Sequence, residues 1–320
     1  MTRNPAPGHD VLAVTIGPGG VRARRTGRSD AADSFVEVPD APVAPGAASA
    51  AELVAAVLGL TERDARPPEA VVWAVPESWY GGPAVDVLAA TRERCPDGRI
   101  AVVAHLFATH VGAFGAVRPG TCLEAGAGSA ALATDLDQVW HRVDGWGFPL
   151  GSRGSGAWIG AQGLAAGLRW RDGVPAGSEA LLHAGRAALG DEATWPALLA
   201  GADSDIALTS FAPAVAEAGH EDVIAREILR HAGEALAESL LAGRALLPGT
   251  PIVAVGGLLY LDAVRVALAS ALGQRQVFLV PGLGGALEGA RLIGDHLLGG
   301  GALPHRPPYV VLDHPRAIGG

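Results

Sequence analysis

Two glycine-rich turns carry the first chemical signal in the chain. Gly17-Pro18-Gly19-Gly20 and Gly126-Ala127-Gly128-Ser129 each follow a short apolar run and lead into another strand-like segment. Such turns present successive backbone N–H groups with no side chain in the way, and concave nests of this kind hold phosphate oxygens. Either turn alone reads as an ordinary hairpin. As a pair at matched positions they point to nucleotide phosphates bound by Gly17, Gly19 and Gly20 in one turn and by Gly126, Ala127, Gly128 and Ser129 in the other. A third feature is Val253-Ala254-Val255-Gly256-Gly257, a buried strand ending in a glycine pair that opens a helix. Gly256 and Gly257 would let an adenosine lie flat on the backbone, or they form a plain strand-to-helix turn. The chain contains no lysine, which rules out a lysine-dependent phosphate loop, and neither the Walker nor the dinucleotide glycine motif sits in its required strand–turn–helix context, so both readings are disfavoured.

The most distinctive stretch runs from Asp144 to Gly160, DGWGFPLGSRGSGAWIG. Its repeated glycines admit a ligand to the backbone, and the faces of Trp146 and Trp158 can stack on a sugar ring. The plainer reading is a tight loop anchored by two indoles. Other candidate groups are less convincing. His110 lies five residues beyond His105 and off its face, so a metal pair is not expected. Asp295-His296 and Asp313-His314 read as solvated helix-end and tail residues. No metal ligand set is assigned.

The elements that must position these groups follow from periodicity. Val11–Ile16, Val21–Arg24 and Ser34–Val38 read as strands, and Ala48–Leu60 as a helix with Leu53, Val57 and Leu60 on one face. Ala70–Val75 is a buried strand, Ala84–Arg94 a helix, Ile100–Ala104 a strand and Leu106–Phe114 a helix. The plan then restarts: Cys122–Glu124 leads into the second turn, and Ala130–Thr134 with Gln138–Val143 forms a hairpin. Helices are expected at Trp158–Leu168, Ser178–Leu189, Glu221–Leu247, Asp262–Leu272 and Ala286–Leu298, with strands at Ile252–Val255 and Val277–Val280. This predicts an α/β protein with a duplicated βββαβαβα plan and a central cleft. The lobes are expected at 1–117 and 118–320, with helix 286–298 returning toward the hinge.

Composition narrows the setting. A chain of 320 residues favours two domains, and 49% hydrophobic residues can fill a large core. A formal charge of −9 argues against nucleic acid or an anionic membrane as partner. Cys95 and Cys122 form neither a metal spacing nor a disulfide framework. The polar Met1–Asp10 segment has no signal-peptide core, and no apolar run reaches spanning length, so a cytoplasmic location is expected.

On these residues the chain resembles the BadF/BadG/BcrA/BcrD-type ATPase family, and within it the N-acetylglucosamine kinases of the actin-like sugar-kinase superfamily. The resemblance is carried by Leu12–Arg24, Gly120–Thr134, Gly145–Gly163, Ser210-Phe211-Ala212-Pro213, Ala225–Leu236, Val253–Leu258 and Gly285–Ala290. It implies a two-lobed actin-like ATPase fold of the ribonuclease H-like kind, and transfer of the γ-phosphate of ATP, with Mg²⁺, to the 6-hydroxyl of an amino sugar. It also implies partners limited to a nucleotide and a sugar or sugar phosphate, and a homodimer. The resemblance places Thr15 among the phosphate contacts and Gly145, Trp146, Ser152 and Arg153 in the sugar loop.

The family's acidic residues are replaced. Thr15 stands where an Asp in the first turn supports the metal, and Gly19 where that turn carries a Thr. His105 occupies the place of the catalytic Asp, Ala127 that of the Thr in the second turn, and Ser152-Arg153 that of an Asp-Glu pair. No Asp or Glu lies between Val11 and Arg25 or between Ile100 and Val117. Removing a general base costs a factor on the order of 10²–10⁴. The expectation is a degenerate kinase that retains nucleotide or sugar binding. The alternative is an active amino-sugar kinase in which neutral His105 accepts the proton, although His105 also suits a plain packing role at a helix start. Arg153 suits an anionic ligand or a surface salt bridge. An iron–sulfur activator and a sugar-responsive repressor are disfavoured, because the cysteine context and a helix-turn-helix segment before the first strand are both missing.

Overall fold

The computed structural model describes residues 9–17, 20–27, 34–38, 47–61, 66–77, 82–201 and 204–313. In chain order these form β1 (Val11–Gly17), β2 (Gly20–Thr26), β3 (Ser34–Val38), α1 (Ala47–Leu60), β4 (Ala70–Val75), α2 (Pro83–Arg94), β5 (Arg99–Ala104) and α3 (His105–Phe114). Then follow β6 (Gly120–Ala125), β7 (Ser129–Thr134), β8 (Trp140–Asp144), α4 (Gly156–Arg171), α5 (Glu179–Leu189), α6 (Trp195–Leu199), α7 (Ser204–Ala218) and α8 (Val223–Ala245). The chain continues through β9 (Ile252–Val255), α9 (Asp262–Gly273), α10 (Ala286–Leu298) and β10 (Val310–Leu312). Two compact units result: Met1–Arg118 with Leu136–Gln138 and Gly282–Gly320, and Pro119–Asp135 with Val139–Pro281.

The first unit is built on a six-stranded sheet in the order β10-β5-β4-β1-β2-β3. Both β1 and β4 are apolar almost end to end because both faces of this sheet are covered, as in buried parallel strands. On one face Leu53, Val54 and Val57 of α1 and Val87 of α2 share a core with Leu12, Val14, Ile16 and Trp73. Removing each such side chain from water stabilises the fold by about 1.5–3 kcal/mol. Elsewhere in this unit α10 comes close enough to β1 that a Cβ on Gly294 would lie 2.4 Å from Val11 Cγ1.

Helices α3 and α10 meet backbone to backbone. A Cβ built on Gly289 would lie 1.7 Å from the Ala108 carbonyl oxygen, and one on Gly112 would lie 2.1 Å from the Gly285 oxygen. This contact explains why residues 282–320, expected in the second lobe, cluster with the first unit.

The second unit holds a four-stranded sheet, β8-β7-β6-β9, which matches the β3-β2-β1-β4 order of the first. Helices α4 to α9 share one core with it around Leu123, Ile159, Phe211, Leu236 and Leu268. Two expectations are corrected here. Val277–Val280 is not a strand: Val280 N–H donates once, to Ile252 O at 2.9 Å, and no ladder follows. Residues 204–218 form a helix that the periodicity did not suggest, with Pro213 inside it. Among the described residues no helix is long and apolar enough to cross a membrane.

Candidate functional site

In the first unit the candidate residues gather at one end of the sheet. Strands β1, β4 and β5 run parallel, with Thr15 beside Ala74 and Val75 beside Ala104, so their carboxyl ends finish side by side. Ligands of open α/β sheets bind beyond such ends. The β1–β2 hairpin closes on a Gly17–Gly20 pair, and Gly20 has φ 91°, a conformation that suits glycine. Gly19 lies outside the described residues. Thr15 is buried in β1. His105 follows Ala104 directly and is the first residue of α3, half-buried, with its Cε1 3.9 Å from where a Cβ on Gly17 would sit.

The same end holds a carboxylate that sequence reasoning missed. Glu77 lies two residues beyond β4, and its Oε1 accepts from Leu106 N–H at 3.4 Å. That N–H belongs to the first turn of α3, where four donors have no partner within the helix. Position in sequence gave no hint of this, since 29 residues separate the two. The only available signal was the expected pairing of two parallel strands whose ends deliver them.

In the second unit the glycine turn is held by its carbonyls. Gly156 N–H donates to Gly126 O at 2.9 Å and Ala157 N–H to Ala127 O at 3.1 Å, so the first turn of α4 bonds the back of the loop. The N–H groups of Ala127 and Gly128 have no protein partner among the described residues, and Gly128 is exposed. Two successive N–H groups without a protein partner are the donors that a phosphate nest requires. Ser129 is buried, and its hydroxyl donates to Arg153 O at 3.0 Å.

The distinctive loop and the Gly256-Gly257 pair come to this same turn. Buried Ser152, at φ 63°, approaches so closely that a Cβ on Gly128 would lie 3.3 Å from its Oγ. Gly256 has φ 120°, and a Cβ there would lie 2.1 Å from Ala125 O, so only glycine fits. A Cβ on Gly257 would meet nothing within 4 Å. Gly145, at φ 73°, ends the β8 strand, and Trp146 beside it is 69% exposed. One face of that indole is covered by the Arg142 guanidinium, 4.4 Å from the ring centroid, a cation–π contact that fixes the ring. The loop's start is tied down by Ser239, whose hydroxyl donates to Asp144.

Arg153 takes the plainer of its two readings. Its Nη1 pairs with Glu238 at 3.0 Å, with both side chains well exposed. Among the described residues no three His, Cys, Asp or Glu side chains converge as metal ligands. Mg²⁺ is commonly held by one or two carboxylates together with substrate phosphates, and Glu77 is the carboxylate found at the strand ends of the first unit.

Comparison with known proteins agrees with this architecture. A structure assigned as an N-acetylglucosamine kinase from Chromobacterium violaceum is 25% identical, with TM-score 0.67, covering 90% of this chain and 99% of that one. A second such assignment, from Porphyromonas gingivalis, is 18% identical with TM-score 0.71, covering 89% and 98%. A ROK family glucokinase from Streptomyces griseus shares the fold at 14% identity and TM-score 0.54, covering 90% and 97%. No curated protein matches the chain. The fold is thus that of the actin-like sugar kinases. The model of the BadF/BadG/BcrA/BcrD ATPase family matches residues 79–293, two thirds of the sequence, and the chain belongs to that family.

Proposed function

We propose that this protein is a sugar kinase-like binding protein, taking a nucleotide and an amino sugar on an N-acetylglucosamine kinase scaffold whose phosphoryl-transfer machinery has decayed. The observation that carries this reading is the contrast between backbone and side chains. The Ala127–Gly128 N–H pair and the Gly256 approach suit a nucleotide. Meanwhile Thr15, His105, Ala127, Ser152 and Arg153 stand where the family's reactive and metal-supporting side chains are expected. Any Mg²⁺ would arrive on the nucleotide's phosphates. Phosphoryl transfer depends on charge neutralisation and positioning, and losing several acidic groups together removes both.

Thermal shift with ADP, ATP, N-acetylglucosamine and glucosamine tests binding, and coupled ADP release with Mg·ATP tests transfer. Stabilisation by ligand without measurable turnover is expected. No shift with any ligand refutes a binding role, and turnover at ordinary kinase rates of about 1–100 s⁻¹ refutes decay. One observation favours a second reading, an active amino-sugar kinase using His105: Glu77 brings a carboxylate to the helix that His105 begins.

A further inference from the structure

Helices α5 and α7 leave a groove between them on the surface of the second unit. It has a volume of about 1020 Å³ and is bordered by Trp170, a half-exposed indole near the end of α4. Its walls are small side chains. Ala180, Ala184 and Ala187 recur one turn apart on α5, and Ala214 and Ala218 do the same on α7. Such walls admit a third helix closely, because the side chains at a contact set the distance between helices. Ala180 and Ala187 stand open to solvent, whereas a small-molecule pocket buries most of its ligand.

The rim carries one sign of charge. Glu179, Glu217, Glu221 and Asp222 line it, and no arginine does. Asp222 is engaged within the unit, accepting from the Ser178 hydroxyl at 2.8 Å and from Ala225 N–H at 2.7 Å. Glu179 and Glu217 lie beside His183 and His220 at 3.8 and 3.9 Å. The Glu221 side chain has no partner among the described residues. Elsewhere on this unit Glu192, Glu227, Glu234, Glu238 and Asp262 each pair with an arginine of the chain. The groove therefore presents carboxylates that the arginines of the described residues do not neutralise.

That combination defines the occupant. Helical alanine walls under an acidic rim complement an amphipathic helix with bulky apolar side chains on one face and Arg or Lys at its margins. A second copy of this chain fits less well, because a groove-to-groove contact about a two-fold axis would set two acidic rims against each other. We infer that the α5–α7 groove docks a cationic amphipathic helix of a partner protein. Helix α4 runs roughly 21 Å from Gly156, whose N–H bonds the glycine turn, to Trp170 at the groove. The surface is thus separate from the proposed nucleotide site and does not depend on it.

The full chain can be titrated against a fluorescently labelled helical peptide of about 18 residues, with leucine on one face and arginine on the other. Anisotropy should report one-to-one binding that weakens as salt is raised. Glu217→Lys combined with Glu221→Lys should weaken it roughly tenfold or more. Ala187→Trp, which fills the groove from an exposed position, should do so by a comparable factor. Both variants alter exposed residues and should keep whatever thermal shift ADP gives the wild type, so failure here and failure of the nucleotide role are read separately. No binding at roughly millimolar peptide, equal binding of a peptide with Glu in place of Arg, or an affinity that neither variant changes overturns the assignment. Spermine that displaces the peptide with equal affinity would make the occupant a small polycation. A wild-type dimer that Ala187→Trp dissociates would make it a second copy. Either result also overturns the helix.

Discussion

Replacing Gly289 by Ala tests whether the α3–α10 contact holds the first unit together. The added methyl would sit 1.7 Å from Ala108 O and 2.7 Å from Gly112 N. Both are backbone atoms of α3, so no side chain can rotate away, and the helices must separate by on the order of an ångström. Overpacking of this kind costs about 3 kcal/mol at the upper end of its usual range. The better helix propensity of Ala returns about 1 kcal/mol, so the steric term wins by roughly 2 kcal/mol. The two buried free cysteines make the effect readable, because Cys95 lies in the first unit and Cys122 in the second. Burial pushes both thiols up from their ordinary pKa, so labelling waits for opening and tracks the open population. In native buffer Gly289→Ala should raise the Cys95 labelling rate roughly thirtyfold and leave Cys122 unchanged. Gly59→Ala is the control: on α1, where no atom lies within 4 Å of the new methyl, it should slow Cys95 labelling or leave it alone. Wild-type labelling in Gly289→Ala, or acceleration at Cys122 alone, refutes the argument.

Acid should weaken the first unit through His110, which is buried against Phe107 and Phe114 and donates from Nε2 to Arg118 O at 2.9 Å. Burial lowers its pKa from 6.5 to about 4. The unfolded imidazole therefore takes a proton below 6.5 while the folded one waits until about 4, so stability present above pH 6.5 is lost as pH falls toward 4, by about 3 kcal/mol. Denaturant melts across that window should show the loss, and His110→Gln should remove this contribution; identical slopes for the two proteins would refute it. Arg153→Ala should lower the unfolding free energy by less than about 1 kcal/mol, because exposed ion pairs contribute little, and a larger loss would reveal another role. Gly256→Ala combines a disfavoured φ with a clash against Ala125 O, so it should cost about 2 kcal/mol or more, speed Cys122 labelling and abolish the ADP-induced thermal shift. Retained ADP stabilisation would separate Gly256 from the nucleotide.

The elements that could be read in the sequence are those whose pattern is local. Val11–Ile16 and Ala70–Val75 read as buried strands because two covered faces demand unbroken apolar runs. Helix α8 was visible because Ile224, Ile228, Leu236 and Leu240 recur at helical spacing, and Ile228, Leu236 and Leu240 are buried together. Val277–Val280 has the composition of a strand but makes only one backbone bond to β9, and ladder formation is not a local property. Helix α7 was hidden by Pro213, which normally argues against a helix interior. Of the site, the glycine turns were legible from composition. Glu77 was not, because its approach to α3 depends on the Val75–Ala104 register of two neighbouring strands. The Arg153–Glu238 pair was hidden for a similar reason, since 85 residues separate its partners.

The way the two units share one polypeptide has a consequence for biosynthesis. The second unit, 119–135 with 139–281, is interposed between two portions of the first. A ribosome therefore releases everything the second unit needs before it has made α10, whose glycine face seals α3, or β10, which pairs with β5. The segment translated first must wait for the segment translated last, holding an uncovered α3 face and an unpaired β5 edge during elongation. Exposed apolar surface and open strand edges are where nascent chains aggregate. Synthesis arrested just short of Ala286 should leave a protease-resistant second unit joined to a first unit that chaperones still hold.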